Sequence, residues 1–316
     1  MRIGIDLGGT SIKGGIVDEK GSILLQKSLK TIKGKDENGD KICNGIIQII
    51  RELIKAKNVS IDEVELIGLG IPGNIDYQRG IVGRCVNLGW ENVHLGSILE
   101  KEFGKRVLID NDANVAAGAE YLFGSSKDNK ISLLVTLGTG VGSGAVLNGK
   151  IYRGINGAAM ELGHTIVGEN FYNCSCGNNG CLETFTSATA IIKYAIKLIE
   201  EGRKTIITDS VNGELHNIDA KIVFDAARKG DGVALEVLNR FIKYLAIGIN
   251  NAINILDLDS VVIGGGVSAG CDLFIDKLVS EINKIKLYKD TSLCTIRKAT
   301  LGNSAGIIGA AMLDKI

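Results

Sequence analysis

The sequence predicts an α/β fold, and three observations carry that prediction. Short apolar strands alternate with helical apolar stripes along most of the 316 residues, the pattern of layered sheets and helices. Glycine is abundant, at 42 residues, while Pro72 is the only proline, which predicts many tight turns and close backbone approaches. A strand–turn–strand unit also recurs: Leu7-Gly8-Gly9-Thr10 followed by Gly14-Gly15-Ile16-Val17 lines up without gaps on Leu137-Gly138-Thr139-Gly140 followed by Gly144-Ala145-Val146-Leu147. Two lobes built on one such unit explain the match. A chance likeness between glycine-rich hairpins explains it as well.

The elements follow in order. Met1–Leu7 alternates and is apolar, Gly8-Gly9-Thr10 turns the chain, Ser11–Asp18 returns as a second strand, and Lys20-Gly21 leads into a third, Ser22–Leu29. Across 37–57, Ile42, Ile46, Ile49, Ile50, Leu53 and Ile54 recur at helical spacing. Glu65–Ile71 reads as a buried strand stopped by Pro72-Gly73. Val107–Ile109 is another, followed by Asp110-Asn111-Asp112 and an alanine-rich helix, Ala113–Phe123. A second set of hairpin strands covers Ile131–Leu147, and helices dominate from Ser187 to Leu256. Val261–Ile263 is a buried strand ending in Gly264-Gly265-Gly266, and Ser304–Leu313 closes the fold as a helix.

Composition narrows the function. Apolar residues make up 45% and charged residues 23% of the chain, the balance of an ordinary globular protein. Lys plus Arg equals Asp plus Glu at 36 each, and the isoelectric point is near 6.8. No global field draws nucleic acid or an anionic membrane, so a small neutral partner fits better. The start runs straight into Arg2-Ile3-Gly4-Ile5-Asp6 without a charged and apolar leader, and the apolar runs are too short or too interrupted by glycine to span a bilayer. The expectation is a cytoplasmic protein.

Seven cysteines, an odd number without an export signal, argue against a disulfide framework. Cys43, Cys85, Cys271 and Cys294 stand singly among apolar neighbours and read as buried small hydrophobes. Cys174, Cys176 and Cys181 cluster, and with His164 they make a Cys₃His set among turn-forming residues, which suits a tetrahedral Zn²⁺. Four protein ligands leave no open position, so such a zinc is structural. A redox pair or coincidental buried thiols are the competing readings. Glu161 and Glu183 flank the cluster. With one ring nitrogen of His164 on the metal, the other is an oriented donor, and two carboxylates beside it suit paired sugar hydroxyls. Solvated loop charge or helix-cap charge competes with that reading.

Asp6-Leu7-Gly8-Gly9-Thr10 is a strand end and a bulk-free turn, where backbone N–H groups can approach phosphate oxygens and Thr10 adds a hydroxyl. Lys13 can neutralise phosphate charge, and Asp6 can hold Mg²⁺ through water. Gly138-Thr139-Gly140-Val141-Gly142 offers a second cradle; an ordinary hairpin turn is the alternative for each. The Gly264-Gly265-Gly266 strand end suits an adenine or ribose, or a close helix–sheet crossing. Asp112 is a natural helix N-cap; alternatively it is a general base that takes the proton from a sugar hydroxyl, with Asn111 on neighbouring hydroxyls. In Asn87-Leu88-Gly89-Trp90, sugar contact through Asn87 competes with Trp90 as a core anchor. His94 and His216 carry no pattern.

These blocks together resemble the ROK (repressor, open reading frame, kinase) sugar-kinase family over essentially the whole chain. The likeness rests on Asp6–Gly14, Ile71-Pro72-Gly73, Asn87–Trp90, Asn111–Glu120, Leu137–Gly144, Glu161-Leu162-Gly163-His164 with the knuckle through Glu183, and Val262–Gly266. The resemblance implies a two-lobed actin-like, ribonuclease-H-like fold with a structural zinc knuckle. One lobe is expected at 1–115 plus 303–316, the other at 116–302. It implies Asp112 as base, Gly73, Asn87, Asn111, Glu161, His164 and Glu183 as sugar contacts, and zinc on His164, Cys174, Cys176 and Cys181. It also implies ATP and Mg²⁺ contacts at Asp6, Gly8, Gly9, Thr10, Lys13, Thr139, Gly140, Gly265 and Gly266, and a homodimer. The expected reaction is phosphorylation of the 6-hydroxyl of glucose, with an N-acetylmannosamine or N-acetylglucosamine kinase as the rival. Two further classes compete with an enzyme. A sugar-responsive repressor would carry a DNA-binding segment ahead of the first phosphate loop, which here begins within the first ten residues. A non-catalytic sugar-binding regulator is disfavoured by intact Asp6, Asp112 and glycine loops.

Overall fold

In the computed structural model, which describes residues 1–31, 39–85 and 88–316, the alternating runs at the start fold as β1 (Arg2–Leu7), β2 (Ser11–Val17) and β3 (Ile23–Lys30). β1 and β2 pair antiparallel from Arg2 opposite Val17 to Leu7 opposite Ile12, so the first glycine turn is the tip of a hairpin. Next comes α1 (Asp40–Lys57), whose Ile42, Ile46, Ile49, Ile50 and Leu53 are at most 2% exposed. The helical stripe is therefore the core face of α1. The part of the expected helix before Gly39 lies outside the described residues.

β4 (Leu66–Ile71) is buried along its whole length, as a covered parallel strand should be. A small antiparallel sheet follows, of β5 (Asn74–Asp76), β6 (Ile81–Cys85) and β7 (Trp90–Val93), then α2 (Leu95–Phe103), β8 (Val107–Asn111) and α3 (Asp112–Phe123). Trp90 starts β7 and is 1% exposed, a core anchor.

β9 (Ile131–Leu137), β10 (Val141–Leu147) and β11 (Lys150–Ile151) repeat the opening hairpin motif. The helices α4 (Glu183–Thr186), α5 (Ala188–Glu200), α6 (Ile206–Ser210), α7 (Ala220–Arg228) and α8 (Gly232–Leu256) come next. Ser187, Thr205, Asp219 and Asp231 cap the last four, each accepting a backbone N–H of the first turn. The chain ends with β12 (Ser260–Gly264), α9 (Cys271–Ile285), β13 (Thr295–Lys298) and α10 (Ala305–Ala311).

The two large sheets have orders β3-β2-β1-β4-β8 and β11-β10-β9-β12-β13. They correspond strand for strand: a hairpin with its third strand outside, then two strands in parallel, as β4 with β8 and β12 with β13. The glycine-rich sequence match is thus one of topology as well as of turns. By compactness the chain divides into a first unit of Met1–Leu134, Gly144–Met160 and Thr300–Ile316, and a second of Val135–Ser143 and Glu161–Ala299. The first unit therefore runs past residue 115 and keeps all of α3, a helix that a boundary at 115 would cut. No helix among the described residues is long and apolar enough to cross a membrane.

Candidate functional site

In the first unit the junction of β8 with α3 carries Asn111 and Asp112, two of the residues singled out from sequence. Asn111 is extended and is the N-cap of α3, its Oδ1 accepting from the N–H groups of Ala113 (2.9 Å) and Asn114 (3.3 Å). The cap reading of Asp112 is thereby corrected: Asp112 is the first residue of the helix, one position beyond the cap. Its carboxylate sits in the first turn, where the helix dipole favours negative charge, and accepts from Ala113 N at 2.9 Å. Asn111 Nδ2 donates to the carbonyl of Gly73 at 3.1 Å, so the turn after β4 and the start of α3 are tied. Gly73 has φ +107, and a Cβ there would lie 2.4 Å from the carbonyl of Arg84, so glycine is required by the fold itself.

Asp110, 2% exposed, underlies this junction. One carboxylate oxygen accepts from Asn111 N (2.7 Å) and Asn114 Nδ2 (3.0 Å), and the other pairs with Arg153 Nε. Arg153 also stacks on the Tyr77 ring, 4.7 Å from its centroid. A buried carboxylate without that cation would be costly. Sequence reasoning gave neither Asp110 nor Arg153 a role, because Arg153 is distant in sequence and no local pattern marks it.

The first glycine turn is built with its carbonyls engaged. Gly8 N donates to Ser11 O (2.9 Å), Thr31 Oγ1 donates to Gly8 O (2.8 Å), and Thr31 N donates to Thr10 O (3.0 Å). At Gly9 a Cβ would meet nothing within 4 Å, so packing does not demand glycine there. Asp6 faces Lys13 Nζ at 3.9 Å. Burial pushes the Asp6 carboxyl above its ordinary pKa, and Lys13 offsets part of the rise. Gly306 makes room for it, since a Cβ there would be 2.6 Å from Asp6 Cγ.

The second unit holds the cysteine cluster. Donor atoms of His164, Cys174, Cys176 and Cys181 all lie within 4.8 Å of one another. His164 Nδ1 is 3.6 Å from Cys174 Sγ, and the sulfurs of Cys176 and Cys181 are 3.5 Å apart, as free thiols. Tetrahedral zinc with bonds of about 2.3 Å separates its sulfurs by about 3.8 Å, so spacing and donor chemistry both fit that ion. The loop is fixed by its own backbone: Cys174 N donates to Asn178 O, Gly177 takes φ +96, and Asn179 Nδ2 spans Asn170 O, Tyr172 O and Asn173 Oδ1. Hydrogen bonding from Asn178 N–H pulls the Cys176 thiol down to about 7, while burial pushes Cys174 up and Cys181 up to about 12.

Glu161 and His164 are exposed at the ends of a short 3-10 turn, held by Leu162 N donating to Ser143 Oγ at 3.2 Å. Gly163 lets that turn press on β10, a Cβ there falling 2.2 Å from Val141 O. Glu183 bridges the cluster and the second glycine turn. Its Oε2 accepts from Val141 N at 3.0 Å, and its Oε1 is 3.8 Å from Cys174 Sγ. A Cβ on Gly140 would lie 2.3 Å from Oε2 of that carboxylate, the end of a side chain. Gly265 is structural, with φ +77 and its Cβ position 2.4 Å from Leu137 O, whereas a Cβ on Gly138 or Gly266 would meet nothing within 4 Å. The carbonyl of Thr139 accepts from Thr189 Oγ1 at 2.8 Å.

Asn87 lies outside the described residues. Of the single cysteines, Cys43, Cys85 and Cys271 are buried as expected, but Cys294 is only partly so, near the start of an edge strand.

A model described as the ROK family matches residues 2–315. A glucokinase of Halalkalibacterium halodurans is 37% identical over 99% of this chain and 94% of its own length. A xylose repressor of Caldicellulosiruptor bescii is 30% identical over 97% of this chain and 76% of its own. Among solved structures, a ROK family glucokinase from Streptomyces griseus in complex with glucose and AMPPNP matches with a TM-score of 0.84 at 30% identity, over 99% of this chain and 98% of that one. From the family match along its whole length and the glucokinase likeness in sequence and fold, the chain belongs to the ROK family and is a sugar kinase.

Proposed function

We propose that this kinase transfers the γ-phosphoryl group of ATP to the 6-hydroxyl of glucose, with Asp112 as general base. The observation that carries the reading is the junction at 110–112. Asn111 supplies the cap and is tied to Gly73, Arg153 neutralises Asp110, and Asp112 places a carboxylate in the first turn of α3, on a rigid helix end. In the reaction Asp112 accepts the O6 proton as O6 bonds to the γ-phosphorus and the bond from that phosphorus to the β–γ bridging oxygen breaks. ADP leaves, and the proton passes on to solvent. Positioning and charge neutralisation supply most of the catalysis in such transfers.

Glu161, His164, Glu183, Asn111, Asn87 and Gly73 are assigned to the sugar. Gly8, Gly9, Thr10, Lys13, Thr139, Gly140, Gly265 and Gly266 are assigned to the nucleotide, with Gly140 and Gly265 acting through backbone shape. Asp6 would hold Mg²⁺ through water, and the ion when bound neutralises phosphate charge. His164, Cys174, Cys176 and Cys181 would hold a structural zinc that fixes the ring of His164, whose Nε2 then donates to a sugar hydroxyl. The glucokinase relatives support glucose as the acceptor. We further assign a cytoplasmic location and a homodimeric state.

The test is ADP release with ATP and Mg²⁺ against glucose, N-acetylmannosamine, N-acetylglucosamine, mannose, fructose and allose. Glucose is expected to win. Preference for an N-acetylated sugar would replace the substrate and keep the mechanism. Asp112→Asn is expected to lower kcat at least a hundredfold, within the usual reach of general-base loss of about 10²–10⁴, while glucose binding by calorimetry stays near wild type. Retained turnover removes Asp112 from the role.

A further inference from the structure

The two glycine turns share a device that their sequences do not show. In each, two carbonyl oxygens are drawn onto the protein by a backbone N–H and a threonine hydroxyl from a separate segment. For the first turn both donors belong to Thr31, which is 6% exposed: its N–H reaches Thr10 O at 3.0 Å and its Oγ1 reaches Gly8 O at 2.8 Å. For the second, Ala188 N donates to Gly138 O at 2.8 Å and Thr189 Oγ1 donates to Thr139 O at 2.8 Å. Thr31 follows β3, whereas Ala188 and Thr189 open α5, so two unrelated segments perform one task.

That task has a physical reason. A backbone turn attracts an anion only when its N–H groups face it, and a carbonyl oxygen rotated toward a phosphate repels it. A glycine-rich turn resists such rotation poorly, because glycine has the widest choice of backbone angles. Holding the carbonyls from outside removes that freedom before the ligand arrives, and preorganisation of this kind appears as affinity. Gly9 and Gly138, where a Cβ would meet nothing within 4 Å, lie in the two held turns.

We propose that Thr31 and Thr189 are positioning residues for the nucleotide, Thr31 fixing the carbonyl oxygens of Gly8 and Thr10, and Thr189 that of Thr139, away from the phosphate chain. The proposal rests on reading both turns as nucleotide contacts. Thr31→Val and Thr189→Val keep side-chain shape and remove one hydroxyl each. Each is expected to raise KM for ATP, and the dissociation constant of ADP measured by calorimetry, about three- to tenfold, the worth of one net hydrogen bond. KM for the sugar should stay within twofold, and Thr31→Ser and Thr189→Ser should restore the wild-type ATP values.

The outcomes separate cleanly. An active enzyme whose valine variants keep wild-type ATP and ADP constants overturns the proposal and leaves the kinase reading intact. Parallel rises in sugar and ATP KM with a lowered melting temperature mean a general structural role, which also overturns it. Wild-type protein that binds neither ATP nor ADP overturns the reading of the turns, and the proposal with it.

Discussion

Asp6 illustrates how a single residue can oppose the fold it belongs to. Its carboxyl is half-buried beside Gly306, and partial burial raises its pKa despite Lys13 at 3.9 Å. A carboxyl with a raised folded-state pKa holds its proton more tightly folded than unfolded. It favours folding at low pH, and that contribution is lost as pH rises through the raised value. At neutral pH the ionised Asp6 therefore costs stability. Asp6→Asn is expected to melt at a higher temperature than wild type at pH 7, with the gap closing on acidification, while kcat with ATP and Mg²⁺ falls. A variant that melts lower at pH 7 would show that charge on Asp6 supports the fold. Residue types at this scale are legible in the sequence, and their division of labour is not. Asp110, Asn111 and Asp112 are adjacent and all can cap a helix; only the backbone shows that Asn111 does so. Arg153, which balances Asp110, comes from the far side of another hairpin and leaves no local trace.

Elements whose determinants lie close together in sequence are the ones legible in it. The knuckle lies wholly within His164–Cys181, and its turn-forming asparagines and glycines announce both the loop and its ligands. The small sheet of β5, β6 and β7 is illegible by the same measure, because its strands span three to five residues and Trp90 resembles a loop aromatic as much as a strand residue. The knuckle also yields a prediction at its own scale. Three thiols and an imidazole this close gain from a shared dication, which must displace the thiol protons. One zinc per chain is expected by elemental analysis, released as pH falls because protons compete for the sulfurs. Cys176→Ser should shed zinc and raise KM for sugar more than KM for ATP, since His164 loses the bond that orients it. Metal-free wild-type protein with full activity would refute this.

At the scale of the whole molecule, the closing helix depends on a floor of glycines that no sequence window contains. Gly15, Gly4 and Gly68 are direct partners across β2, β1 and β4, so three strands present a strip without side chains. α10 packs against β1, β4 and α3. A Cβ on Gly4 would sit 1.9 Å from the carbonyl oxygen of Ile307, and one on Gly68 would sit 1.8 Å from that of Ala310. Gly309 faces the other way, its Cβ position 1.9 Å from Val115 O in α3. Arg2, buried at the start of β1, holds the far end of this segment through Ala311 O and Asp314. Backbone oxygens cannot turn aside as a side chain can, so an alanine at Gly4 or Gly68 must push the helix off its sheet. Gly15 differs, because the nearest atom to its Cβ position is the Cγ2 of Ile307 at 2.7 Å, the end of a side chain. Overpacking of a close-packed core costs about 1–3 kcal/mol. Gly68→Ala and Gly4→Ala are expected at or beyond the upper end of that range, and Gly15→Ala nearer the lower. Urea unfolding of the three variants reads the order directly. Equal losses at all three would mean that α10 yields as easily as a side chain does, and that the glycine strip does not set how the last segment of the chain is held.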